Sequence, residues 1–183
     1  MKLFAEKGPV NTAAVATLAI NAARERKIAH LVVATCTGGT VRHFLPFAGE
    51  FHLTAVTHAW GFSAPGVQEM STDARAELAT SGCRIVTATH VLSGAERGLS
   101  TRFGGLHPVE VMAHTLRMFG QGLKVCVEVA IMALDAGAIP HGQDILAIAG
   151  TSEGADTAII IRPAHANAIL DTRIVEIICM PRP

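Results

Sequence analysis

The chain has 183 residues, enough for one domain with a sizeable core and too few for two. Half of its residues are hydrophobic and 16 % are charged, with Lys+Arg and Asp+Glu balanced at 15 each. That balance gives no basic excess for a polyanion, and the absence of Tyr removes the usual stacking platform for bases, so no nucleic-acid partner is expected. The mean hydropathy of +0.38 is high for a soluble monomer, so a homo-oligomer that covers apolar surface is expected. The four cysteines, Cys36, Cys83, Cys126 and Cys179, lack the close spacing of zinc or redox pairs. This is reduced, cytoplasmic cysteine usage, with no metal site expected.

The first segment, MKLFAEKGPVNTAAVATLAINAARERK, has the apolar content of a signal peptide. Glu6, Lys7, Pro9, Asn11 and Thr12 interrupt it, however, and it ends in Arg24-Glu25-Arg26-Lys27. A helix capped by Asn11 or Thr12, with cations at its C-terminus, is the better reading. No apolar run approaches the ~20 residues of a membrane span, so no membrane partner is expected.

The next elements are a strand at 30–35, a helix from about Thr40 to Phe47 and a strand at 52–57. STDARAELATSG (71–82) carries Ser71 or Thr72 as cap, Asp73 in its first turn and Gly82 as its stop. A strand at 84–89 follows, then a helix from His107 to Phe119 with Pro108 in its first turn. Gly120-Gln121-Gly122 interrupts, and Leu123 to Ala136 is helical, ending at Gly137. DILAIAG (144–150), DTAIIIRP (156–163) and RIVEIIC (173–179) are the last strands, the final two close enough to run antiparallel. Strands apolar on both faces and alternating with helices imply an α/β fold: a three-layer α/β/α sandwich on a mostly parallel, mixed sheet spanning 1–183 as one domain.

Three strands end alike. HLVVAT runs into Cys36-Thr37-Gly38-Gly39-Thr40, HLTAVT ends in Thr57-His58, and RIVTAT ends in Thr89-His90. In an open parallel sheet the carboxyl ends of the strands converge on the crevice where ligands bind. Thr35, Thr37, Thr57, His58, Thr89 and His90 are therefore expected near one another, although strand-end hydroxyls also cap helices and either histidine also suits a structural hydrogen bond. At residues 35–40, Gly38 and Gly39 admit close backbone approach, Thr37 and Thr40 add hydroxyls, and the start of a helix suits an anion. The loop lacks the GK[ST] ending of a nucleotide triphosphate loop.

A second glycine loop spans Gly150-Thr151-Ser152-Glu153-Gly154-Ala155-Asp156. It is a plain turn or a second source of amides, with Asp156 either accepting from a sugar hydroxyl or shaping the turn. Lys124 and Glu128, one helical turn apart, are either a solvated stripe with Asp135 or an anion-binding lysine with its counter-charge, entered through Gln121. Gly104-Gly105 is read as a flexible element over the site, with Arg102 nearby as a candidate cation. If the protein is a hydrolase or transferase, Cys36 with His58 or His90 is the one nucleophile–base combination available.

VVATCTGGTVRHFLPF followed by FHLTAVTH resembles the start of the pyruvate kinase C-terminal domain, and GTSEGADTAIIIRP resembles its closing loop and final strands. In pyruvate kinase those two loops hold the phosphates of a sugar-bisphosphate effector. Thr35, Thr37, Gly38 and Thr40 match the first loop; Gly150, Thr151 and Gly154 match the second. This stretch has no counterpart of the catalytic barrel, so pyruvate kinase activity is not expected of it. FGQGLKVCVEVAIMALDAG and GTSEGADTAIIIRPAHA extend the similarity, over nearly the whole chain, to small stand-alone proteins of this fold. The resemblance implies flavin mononucleotide (FMN) as cofactor and carries no agreed catalytic residues. The expected function is binding of a phosphorylated small molecule, FMN first, with a possible flavin-dependent redox role. The alternative is a regulatory module that senses a sugar phosphate or nucleotide.

Overall fold

HLVVA, HLTAVT and ILAIA become three neighbouring parallel strands of a seven-stranded sheet in a computed structural model that describes residues 1–182. The strands are β1 (Lys2–Phe4), β2 (His30–Ala34), β3 (His52–Thr57), β4 (Arg84–Thr87), β5 (Ile145–Ala149), β6 (Thr157–Arg162) and β7 (Arg173–Pro181). Their order is β1-β7-β6-β5-β2-β3-β4. β2, β3, β4 and β5 are mutually parallel, while β6 is antiparallel to both β5 and β7. The antiparallel step expected between the last two strands is present, and a second one joins β5 to β6. β1 adds an edge strand parallel to β7, too short for the sequence to announce.

The helices are α1 (Thr12–Glu25), α2 (Gly39–Arg42), α3 (Thr72–Thr80), α4 (Gly94–Phe103), α5 (Pro108–Arg117) and α6 (Gln121–Asp135). Side chains alternate across the strands, and each face has its own helix layer. Leu31 and Val33 of β2, with Leu146 and Ile148 of β5, pack under Val15, Ala19 and Ile20 of α1. Val32, Ala147 and Ile159 pack on the opposite face under Cys126, Ala130 and Ile131 of α6. Each fully buried Val, Leu or Ile stabilises the fold by roughly 1.5–3 kcal/mol relative to exposure, so both faces are strongly anchored.

Two sequence expectations are corrected. The helix expected over 40–47 is the four-residue α2 followed by a 3-10 turn at Leu45–Phe47. Pro46 supplies no N–H and disfavours the α conformation at Leu45, so one continuous helix cannot form. The strand expected over 84–89 stops at Thr87; beyond it, residues 94–103, for which no element was expected, form α4.

Candidate functional site

β3 and β4 lie to one side of β2, and β5 lies to the other. The chain therefore leaves the adjacent strands β2 and β5 in opposite directions, the switch point at which open α/β sheets form a crevice. A cleft of about 790 Å³ lies there, lined from the 35–40 loop, the ends of β3 and β5, residues 9–13, α4, the end of α5 and the start of α6. Its volume is that of a small-molecule or cofactor site.

In the first loop Thr35 is buried, and its Oγ1 accepts the Gly38 N–H at 3.1 Å. Gly38 sits at φ +95°, a left-handed conformation that glycine adopts without the Cβ penalty. This turn leaves Cys36, Thr37, Gly39 and Thr40 on the cleft, with Thr37 and Gly39 exposed. The backbone N–H groups of Cys36 and Thr37 have no protein acceptor among the described residues. Because α2 has only four residues, the helix-dipole contribution expected here is small; the free amides and hydroxyls are what the loop offers.

Gly150, Ser152, Glu153 and Gly154 of the second loop line the same cleft, and Ser152 is held at φ +67°. Asp156 shapes this loop from within. It is fully buried and accepts from Gly8 N at 2.9 Å, Thr151 N at 3.1 Å and Thr157 Oγ1 at 2.7 Å. The turn-shaping alternative is the one realised: neither Asp156 nor Thr151 lines the cleft. The network clamps the loop onto the N-terminal segment, where Ala155 N also donates to Thr12 Oγ1 at 3.0 Å.

The strand-end residues converge with one offset. β3 pairs Thr57 with Thr87, so the second Thr-His dipeptide lies two residues beyond the register of the first. The two imidazoles still approach to 5.3 Å between centroids, with Phe62 3.8 Å from His58 and 5.1 Å from His90. Thr57 Oγ1 is engaged with Thr87 Oγ1 at 2.7 Å. His90 Nε2 accepts from Ala59 N at 3.3 Å, and burial pushes this imidazole below its ordinary range, so the neutral acceptor form is favoured. His58 stands between two partners, with Cys36 Sγ 3.4 Å from its Nε2 and Glu69 Oε2 2.6 Å from its Nδ1.

Lys124 and Glu128 are each 4 % exposed and paired at 2.6 Å, which excludes the solvated-stripe reading. Glu128 Oε1 also accepts from Leu92 N at 3.0 Å. Burial drives the Lys124 ammonium below its ordinary range; Glu128 opposes that shift, while Arg117 and Arg97 reinforce it. Arg97 and Arg117 line the cleft beside Lys124, and among the described residues neither is in a salt bridge. Arg117 Nε donates to Gln121 Oε1 at 2.8 Å. The cleft thus joins a loop of free amides and hydroxyls to a cationic lobe.

Glu69, Arg97 and Arg117 were not legible in the sequence. Ser93-Gly94-Ala95-Glu96 has the spacing of a capping box and was the available signal for α4, which carries Arg97. Glu96 instead accepts the Val109 N–H at the start of α5 at 2.9 Å. Gly38, Gly104 and Gly105 do not line the cleft, and Arg102 lies 5.5 Å over the Phe103 ring. Thr89 lines a second, smaller cleft together with Glu96 and Asp135. Among the described residues no group of three or more His, Cys, Asp or Glu is placed to hold a metal, and no helix is long and apolar enough to cross a membrane.

A solved pyruvate kinase from Cryptosporidium parvum, in complex with ADP, is similar at 16 % identity with a TM-score of 0.42. That match covers 85 % of this chain and 24 % of the pyruvate kinase, so the chain spans about a quarter of that protein's length. A family model described as "Pyruvate kinase, alpha/beta domain" matches residues 13–161, most of the chain. With the helix-covered mixed sheet, this match makes the chain a member of the pyruvate kinase alpha/beta domain family.

Proposed function

We propose that the cleft binds a phosphorylated cofactor, flavin mononucleotide, at the carboxyl ends of the parallel strands. The observation that carries this reading is the meeting, in one cleft of about 790 Å³, of the unpaired amides at Cys36 and Thr37 with Arg97, Arg117 and Lys124. A phosphate monoester carries close to two negative charges, and backbone N–H donors with charged side chains are its natural partners. Phe62, Val125, Val129 and Met132 on the same lining supply the apolar contact that a flat ring system needs, so the residues present fit the group. When bound, the flavin would supply redox chemistry; the protein would bind and orient it.

The test is a titration of purified protein with FMN, read by quenching of flavin fluorescence. Saturable binding is expected, and Arg97→Ala and Arg117→Ala are each expected to weaken it by roughly tenfold or more, the loss of one charge-assisted hydrogen bond. Absence of binding at tens of micromolar FMN would defeat the reading. The regulatory alternative is favoured by the two separate anion-suited ends, which also fit a bisphosphorylated sugar or a nucleotide. A thermal-shift screen against such metabolites discriminates, since a ligand that binds only the folded state raises its stability with concentration.

A homo-oligomer is supported by the exposure of Phe103 (75 %), Leu106 (71 %), Met118 (80 %) and Phe119 (55 %), which lie close in sequence on and around α4 and α5. Sedimentation equilibrium is expected to give a multiple of the 19.2 kDa chain mass, and a monomer at micromolar concentration would contradict this. Four unpaired cysteines support a reducing, cytoplasmic setting.

A further inference from the structure

We propose that Cys36 is an acyl-accepting nucleophile, with His58 as its general base and Glu69 as the residue that positions His58, acting on an activated ester or thioester with an anionic tail. The three side chains form a relay assembled from separate segments: Cys36 after β2, His58 after β3, and Glu69 in the loop before α3. Cys36 Sγ lies 3.4 Å from His58 Nε2, within reach of a sulfur hydrogen bond, and His58 Nδ1 lies 2.6 Å from Glu69 Oε2. A carboxylate accepts at Nδ1, which places the proton there and leaves the Nε2 lone pair facing the thiol. A nucleophile, a base within reach and a third group orienting the base constitute the arrangement that activates a weak nucleophile.

Three further observations point the same way. All three side chains line the proposed binding cleft, and each of His58 and Glu69 is partly open to it. The Cys36 and Thr37 N–H groups, without protein acceptors among the described residues, adjoin the sulfur in the chain and are donors for an oxyanion whenever no phosphate occupies them. Among the described residues the other cysteines have no such partner. Cys83 and Cys126 contact only carbonyl oxygens, and Cys83, Cys126 and Cys179 are buried in the two cores. Burial, with Glu69 and Glu153 nearby, pushes the Cys36 thiol up to about 11, so sulfur keeps its proton until a base removes it during attack.

In the first half-reaction sulfur bonds to the acyl carbon and the carbon–oxygen or carbon–sulfur bond to the leaving group breaks. The thiol proton passes to His58 and then to the leaving group. In the second, His58 takes a proton from water as the water oxygen bonds to the acyl carbon, the carbon–sulfur bond breaks, the acyl group leaves as a carboxylic acid, and the thiol regains its proton from His58. Arg97, Arg117 and Lys124 select for a negatively charged tail.

The inference does not need a flavin, and its test contains none. p-Nitrophenyl acetate is mixed with the full chain, and release of p-nitrophenolate is followed. A stoichiometric burst is expected, with one acetyl group on the peptide that holds Cys36. Cys36→Ser is expected to abolish that thioester. His58→Asn should slow the burst by about 100-fold or more, the usual contribution of a general base. Glu69→Gln should slow it at unchanged amplitude, and Glu69→Asp should recover part of the rate, a pattern that a purely structural role does not produce. Melting midpoints of all variants identify any that misfold, and Cys36→Ser, a one-atom change, serves if His58→Asn does. No burst with wild-type protein, acetylation at another cysteine, or a burst rate indifferent to His58 would overturn the assignment.

Discussion

Glu128→Ala is expected to lower the unfolding free energy by about 3–5 kcal/mol, the cost of leaving one member of a buried ion pair without its partner. Lys124 and Glu128 sit 2.6 Å apart with side chains only 5 % exposed at the edge of the cleft, so water replaces the lost carboxylate poorly. The variant also strands the Leu92 N–H, which loses its acceptor at 3.0 Å. The pair is not itself a gain over an apolar substitute, because both charges are desolvated on folding. The double variant Lys124→Met with Glu128→Leu removes the unpaired ammonium but still strands the Leu92 N–H, so it should recover part of the loss and stay about 1–3 kcal/mol below wild type. Urea unfolding at constant m-value reads both, and a loss under about 1 kcal/mol for Glu128→Ala would mean that the pair is solvated.

Gly122→Val is expected to cost about 3 kcal/mol or more, beyond the ordinary penalty for overpacking. Gly122 lies in the first turn of α6, directly against the start of β6. A Cβ there would meet Thr157 Oγ1 and stand 2.6 Å from Asp156 Oδ1 and 2.7 Å from Thr157 Cβ. Asp156 cannot give way freely, since it holds the Gly8 and Thr151 N–H groups and the Thr157 hydroxyl. Either α6 lifts off the sheet or the network that shapes the 150–156 loop breaks, so FMN affinity should fall with stability. Gly49→Ala is the control: among the described residues nothing lies within 4 Å of its added Cβ and its φ is not left-handed, so its effect should stay within about 0.5 kcal/mol. Equal stabilities for the two variants would show that the α6–β6 approach is not tight.

The parallel core was legible because β2, β3 and β5 are short, apolar on both faces and followed by polar strand ends, a pattern that local sequence carries by itself. The loop at 35–40 was legible for the same reason. The short length of α2 was legible as well, in Pro46, a helix breaker that the reading of one helix over 40–47 passed over. α4 was hidden by Gly94 at its start, Gly98 within it and weak apolar periodicity, and Arg97 was hidden with it. Arg117 and Glu69 were beyond any local signal, since they reach the cleft only through the packing of α5 and the path of the loop before α3. Asp156 shows the reverse case. Its sequence setting beside a glycine loop suits a ligand contact, yet complete burial and three internal donors give it to the fold.

In the proposed function the loop after β2 and the cationic lobe together grip a phosphate ester. Its most direct test is the ratio of dissociation constants for riboflavin and FMN on the wild-type protein, two ligands that differ only in the phosphate. Two charge-assisted hydrogen bonds at about 1.5–3 kcal/mol each imply FMN binding at least about 100-fold tighter, with the advantage shrinking in Arg97→Ala and Arg117→Ala. Equal affinities for the two flavins, or a preference untouched by either arginine, would contradict it.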